Sequence, residues 1–105
     1  MKKILITGCN GNLAATIIPA LLNLNFKVIG CDIHDSNSIQ TLNTIKLGLN
    51  EYTKCNLSNE NEIMSLINNF EQSGFPNYLI NNAVIGVSEG HTKILDMNGV
   101  GFRAN

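Results

Sequence analysis

Residues 2–14 read Lys2-Lys3-Ile4-Leu5-Ile6-Thr7-Gly8-Cys9-Asn10-Gly11-Asn12-Leu13-Ala14, and this stretch decides the fold. Its first part is an apolar run without polar alternation, the pattern of a strand covered on both faces of a parallel sheet. From Asn12 the pattern changes: Leu13, Ile17, Ala20, Leu21 and Leu24 recur at helical spacing. Pro19 falls inside this helix and is expected to bend it, because it removes a hydrogen bond. Between strand and helix lies a Gly-x-x-Gly-x-x-Ala turn. Gly8 allows a sharp reversal, Gly11 lets the backbone approach a pyrophosphate, and small Ala14 permits close helix–strand packing. Backbone amides at the helix start, reinforced by its dipole, then hold negative charge. The contacts expected from this turn are Thr7, Gly8, Asn10, Gly11, Asn12 and Leu13. A glycine turn alone can also be an ordinary βα connection; its place after the first strand is what favours a dinucleotide.

Outward from the turn, strands and helices alternate. Phe26 to Ile33 reads as a second strand, and Ile39 to Ile45 as one short helix within a poorly patterned stretch. Glu51 to Leu57 reads as a weak third strand. Ser58 is placed to cap a helix whose apolar face is Ile63, Leu66, Ile67 and Phe70. Gly74 is placed to end it, with Pro76 just beyond. Tyr78 to Ile80 begins a fourth strand that closes on Asn81-Asn82-Ala83, and the Gly-rich remainder carries no assignable pattern. Alternation of this kind implies right-handed βαβ units on a parallel sheet.

The bulk properties narrow the partners. A chain of 105 residues with 44% hydrophobic content suits one globular domain, taken as residues 1–105. The formal net charge of −1 gives no electrostatic footprint for nucleic acid or an anionic membrane. Met1-Lys2-Lys3 could begin a signal peptide, but Gly8 to Asn12 interrupts the apolar region and a first strand is the better reading. Cys9, Cys31 and Cys55 are an odd number without CxxC spacing, which points to free thiols in a reducing cytoplasm. Cys9 could be activated at a helix start, although a small core filler is the commoner role. His34 and His91 are isolated and read as surface residues, and no four ligands recur at zinc spacing.

Asp32 ends the second strand, roughly 20 residues beyond the turn, where a carboxylate accepts hydrogen bonds from ribose hydroxyls. It would repel a 2′-phosphate, and no Arg lies nearby to welcome one, so NAD is favoured over NADP. Its neighbour Ile33 is counted with it as a cofactor contact.

Taken together, ITGCNGNLA, the strand-end Asp32, Cys55-Asn56-Leu57 and LINNAV resemble the short-chain dehydrogenase/reductase family. The resemblance runs from Lys2 to about Ala83. Its glycine spacing is similar to the epimerase branch, while Asn-Asn-Ala is similar to the smaller single-domain reductases. The resemblance implies a doubly wound, Rossmann-type α/β sheet with strand order 3-2-1-4 and helices on both faces. It further implies that Asn56, where the family commonly has Asp, faces the adenine with Leu57, and that Asn82 and Ala83 line the cofactor path. Leu95-Asp96-Met97-Asn98-Gly99-Val100-Gly101-Phe102 resembles the segment carrying the family's catalytic asparagine, which would make Asn98 a holder of the proton-relay water.

The family works through a Tyr-x-x-x-Lys pair, and this chain has only Tyr52 and Tyr78, each followed four residues later by Asn. Ser88 precedes Asn98, the wrong order for the family's serine. The expectation is therefore the NAD-binding part of an oxidoreductase that moves hydride between nicotinamide and a carbonyl or alcohol, sugar nucleotides included. On this reading the chain is truncated before its catalytic pair and is incompetent alone, with a Tyr-x-x-x-Lys further along the complete gene. A full-length form could self-associate. The alternative is a non-catalytic NAD-binding sensor or regulatory module, and a third is a decayed product without function.

Overall fold

The strand β1 (Lys3–Thr7) lies inside the sheet because both of its faces are apolar. The structure, a computed structural model, describes residues 1–82. After β1 come α1 (Asn12–Asn23), β2 (Lys27–Asp32), α2 (Ile39–Ile45), β3 (Glu51–Lys54), α3 (Glu60–Ser73) and β4 (Tyr78–Ile80). All strand pairs are parallel, in the order β3-β2-β1-β4, as the alternation of elements predicts. Leu5 sits level with Ile29 on one side and Leu79 on the other.

Because side chains alternate along a strand, β1 feeds two cores. Ile4 and Ile6, with Val28 of β2, pack against Ala14 and Ile18 of α1. Leu5, with Ile29 and Cys31, packs against Leu66 and Phe70 of α3 on the opposite face. Helices thus cover both faces of the sheet. Each fully buried aliphatic side chain among these stabilises the fold by about 1.5–3 kcal/mol relative to exposure.

Several local expectations are corrected. The buried stripe of α1 is centred on Ala14 and Ile18, with Ile17, Leu21 and Leu22 packed beside it, whereas Leu13 and Leu24 are 62% and 68% exposed. Both stripes are apolar, so periodicity cannot choose between them. The small Ala14 can approach the sheet where the helix leaves the turn, and that choice turns Leu13 outward. As expected, Pro19 lies within α1; it stands on the exposed side, where water can reach the carbonyl freed at Ala15.

The β3 strand ends at Lys54 rather than Leu57, leaving buried Cys55 just beyond it. There Asn56 folds back, its Oδ1 accepting from Ser58 N–H at 2.9 Å. That turn moves the helix cap from Ser58 to Asn59, whose Oδ1 accepts from Glu62 N–H at 3.1 Å. Asn-type side chains bond their own backbone two residues on, and here this preference overrides the expected serine cap. Gly74 ends α3 at φ 103°, a value favoured by glycine.

Candidate functional site

The sheet order reverses between β1 and β4, and ligands of open parallel sheets bind beyond the carboxyl ends of the strands at such a reversal. A cleft of about 640 Å³ opens there, lined by Gly8, Asn10, Gly11, Asn12, Leu13, Cys31, Asp32, Ile33, His34, Cys55, Asn56, Leu57, Ser58 and Asn82. Four separate parts of the sequence supply it: the glycine turn, the end of β2, the turn after β3 and Asn82 beyond β4.

The glycine turn forms one wall. Gly8 has φ 63°, in the left-handed region where an L side chain costs about 1–2 kcal/mol. Gly11 is different. It caps α1 in an extended conformation, φ −87° and ψ 171°, with no side-chain hydrogen bond to the helix. A Cβ added there would meet nothing closer than the Gly8 carbonyl oxygen at 3.4 Å, so the fold itself has room for a side chain. What a side chain would fill is the open approach to the first turn of α1. By contrast α2 and α3 are capped from within, by Ser38 and Asn59. The amides of Asn12, Leu13 and Ala14 are the donors left to an external acceptor.

Asp32 forms the other end. Its Oδ2 accepts from Asn10 N–H at 2.9 Å and its Oδ1 from Ile33 N–H at 2.7 Å. These bonds aim the carboxylate while leaving further lone pairs to accept from a hydroxyl. The Nδ1 of His34 lies 3.8 Å from Asp32 Oδ1. Below them, the Asn10 side chain is held from three directions. Its Oδ1 accepts from Thr44 Oγ1 at 2.6 Å, and its Nδ2 donates to Thr41 Oγ1 at 3.0 Å and bonds His34 Nδ1 at 3.1 Å.

The end of β4 is tied to the turn. Asn82 N–H donates to Thr7 Oγ1 at 2.9 Å, and Asn82 Nδ2 donates to the Gly8 carbonyl at 3.1 Å. Thr7 Oγ1 in turn donates to Asn81 Oδ1 at 3.1 Å. Thr7 is therefore buried beneath the cleft rather than on its wall.

Among the expected contacts, the structure brings together Gly8, Asn10, Gly11, Asn12, Leu13, Asp32, Ile33, Asn56, Leu57 and Asn82 around the cleft. The Oδ1 of Asn56 is engaged with its own turn, and its N–H donates to Glu62 Oε1 at 2.8 Å. Ala83 and Asn98 lie outside the described residues. Cys9 is buried beneath the turn; desolvation, with a smaller push from the Asp32 charge, raises its thiol to about 12, which suits a core filler and not an activated thiol. His34, read as a surface residue, is half-exposed and lines the cleft. Its contact with Asn10 spans two elements and leaves no local spacing signal. Among the described residues no cluster of His, Cys, Asp and Glu could hold a metal ion, and no helix is long and apolar enough to cross a membrane.

Comparison with known proteins gives two likenesses. In structure, the chain is similar to 4-hydroxyisoleucine dehydrogenase complexed with NADH, with TM-score 0.66 and 29% identity, over 81% of this chain and 35% of that one. It is similarly close to 2-keto-3-deoxy-D-gluconate dehydrogenase from Streptococcus agalactiae, with TM-score 0.67 and 25% identity, over 81% and 33% of the two chains. In sequence, it is 38% identical over 102 residues to the large ribosomal subunit protein uL6 of Mycoplasma pneumoniae, covering 90% of this chain. The chain spans about half that relative's length, 52%, and about a third of each dehydrogenase. No family model matches it. The sheet order, the two helical layers and these neighbours together show a partial Rossmann-like α/β fold of the kind found in nicotinamide-dependent dehydrogenases.

Proposed function

We propose that this chain is the NAD-binding portion of a short-chain-type oxidoreductase. The observation that supports it most is one cleft with Gly11 and the uncapped start of α1 at one end and the Asp32 carboxylate at the other. A dinucleotide presents a pyrophosphate and a ribose diol in that order. The amides of Asn12, Leu13 and Ala14 would hold the pyrophosphate, Asp32 would accept from the adenosine ribose, and the Asn56–Leu57 turn would border the adenine. Asn82 and Ala83 would lie on the path toward the nicotinamide. The Asp32 charge favours NAD over a 2′-phosphorylated dinucleotide. When bound, the nicotinamide supplies a hydride acceptor or donor. This chain's own residues bind and orient it. Any role for Asn98 in holding water rests on the family resemblance alone.

The test is calorimetric titration of the full chain with NAD⁺. Saturable binding is expected in the wild type. In Gly11→Val it should be lost with only a modest fall in melting temperature, because a Cβ there meets nothing closer than the Gly8 carbonyl oxygen at 3.4 Å while the side chain would stand in the phosphate path. Absence of heat at millimolar NAD⁺ would overturn the reading.

The likeness to uL6 favours a second reading, a place in the large ribosomal subunit. Contact with RNA draws chiefly on Lys and Arg, and this chain carries 7 of them against 8 Asp and Glu. Co-sedimentation with purified large subunits at moderate salt, without NAD⁺ binding, would favour that reading instead.

A further inference from the structure

Tyr52 has Asn56 four residues beyond it and so forms no Tyr-x-x-x-Lys pair, yet its hydroxyl stands directly behind the ribose end of the cleft. Its ring packs against the core on the α1 face of the sheet. Its Oη lies 3.2 Å from the Asp32 carbonyl and closer still to the His34 carbonyl. A carbonyl can only accept, so the phenol is the donor, sharing one proton between two oxygens. Burial raises the hydroxyl above its ordinary pKa, so it keeps that proton at neutral pH.

The Asp32 carbonyl also accepts from Cys55 N–H at 2.8 Å, so β3 and the residue after it hold this oxygen with two donors. In a planar trans peptide the N–H points opposite to the C=O. A carbonyl held toward β3 therefore turns the Ile33 N–H the other way, and that N–H donates to Asp32 Oδ1 at 2.7 Å. The second carboxylate oxygen, Oδ2, accepts from Asn10 N–H at 2.9 Å. What Tyr52 adds is the link to the His34 carbonyl, which ties the chain beyond Ile33 to the same point. Without the phenol, the peptide planes on both sides of Ile33 lose a shared anchor.

We propose that Tyr52 is a positioning residue for the ribose end: by fixing the backbone on both sides of Ile33, its hydroxyl keeps the Asp32 carboxylate aimed at the adenosine 2′-hydroxyl. This rests on the NAD-binding reading above. Tyr52 does not line the cleft, so it acts through Asp32. An acceptor that wanders must be ordered when the ligand arrives, and that cost weakens binding. The loss falls on ligands that offer the carboxylate a 2′-hydroxyl.

The test compares dissociation constants of NAD⁺ and its 2′-deoxyadenosine analogue for the wild-type full chain and Tyr52→Phe. Phe keeps the ring in the core and removes only the hydroxyl. Y52F should weaken NAD⁺ about fivefold, the worth of one ordinary hydrogen bond, and the deoxy analogue by less than about twofold. A merely structural role would weaken both ligands alike. Equal loss, or no loss for either, would overturn this inference and leave the NAD-binding reading standing. No NAD⁺ binding by the wild type would overturn both. A second measurement does not depend on how Y52F folds. The full chain grown with meta-fluorotyrosine reports on its two tyrosines, Tyr52 and Tyr78, with Tyr78→Phe giving the assignment. Saturating NAD⁺ should move the Tyr52 ¹⁹F signal further than the deoxy analogue does, and equal shifts would contradict the proposal.

Discussion

The backbone N–H of Asn10 donates to the carboxylate of Asp32 across 2.9 Å. This single bond fastens the glycine turn to the end of β2, so the proposed phosphate cradle and the proposed ribose acceptor are held together. It also gives Asp32 a structural duty beside the proposed binding one.

Replacing Asp32 separates those duties. Asp32→Asn keeps an oxygen able to accept from the turn and should cost only about 1 kcal/mol of stability. It removes the charge, so NADP⁺ should gain on NAD⁺ by about tenfold or more in calorimetric titration. Asp32→Ala leaves the Asn10 and Ile33 amides without their acceptor and should cost about 1–3 kcal/mol in a denaturant melt.

The two turn glycines should behave differently. Gly8→Ala must hold φ 63° and should lose about 1–2 kcal/mol. Gly11→Ala meets only one atom at 3.4 Å and gives up only glycine's advantage over alanine at a helix N-cap, so it should lose about 0.5–1 kcal/mol by thermal melting. Equal destabilisation at both positions would show that Gly11 is required by the fold, not by a ligand.

Thr7 links the end of β1 to the end of β4, where its Oγ1 receives Asn82 N–H and donates to Asn81. Thr7→Val keeps the shape and strips those bonds, at a cost of about 1–3 kcal/mol. Hydrogen exchange should locate the loss. Amides of β4 (Tyr78–Ile80) should lose protection before those of β2, because local opening starts where anchoring bonds are fewest.

The three thiols give the fold a basic limit. Burial raises Cys9 from 9.0 to about 12 and raises Cys31 and Cys55 as well. The folded state therefore keeps protons that the unfolded chain releases. Stability from these groups is whole below about pH 9 and is lost as pH rises toward 12. Denaturant melts should show a midpoint that falls above pH 9, and a Cys9→Ala variant should show a shallower fall. Thiol labelling at pH 8 should be slow in the folded chain and fast in denaturant.

Much of this architecture is legible in the sequence because it rests on local rules. The unalternated Ile4-Leu5-Ile6 run requires cover on both faces, and the Gly74–Pro76 stop and the short helix Ile39–Ile45 fall where their residues predict. The misreadings have physical causes. Leu24 falls on the apolar helical repeat yet is exposed, because α1 is apolar on two adjacent stripes and only packing against the sheet selects Ala14 and Ile18; Leu13, on the same repeat, lies at the cleft, where it is expected as a turn contact. Ser58 yielded the cap to Asn59 because Asn56 claims the Ser58 amide first. His34 was unreadable for another reason. Its partners Asn10 and Asp32 meet it only after β1 and β2 pair, and no spacing within one element encodes that meeting.

The most direct test is a ¹⁵N-resolved titration of the full chain with NAD⁺. Binding in the cleft predicts the largest amide shifts at Gly11 to Ala14 and at Asp32 to His34, saturating together, with the exposed face of α3 unmoved. Shifts confined to other residues, or none at millimolar NAD⁺, would contradict a dinucleotide site between Gly11 and Asp32.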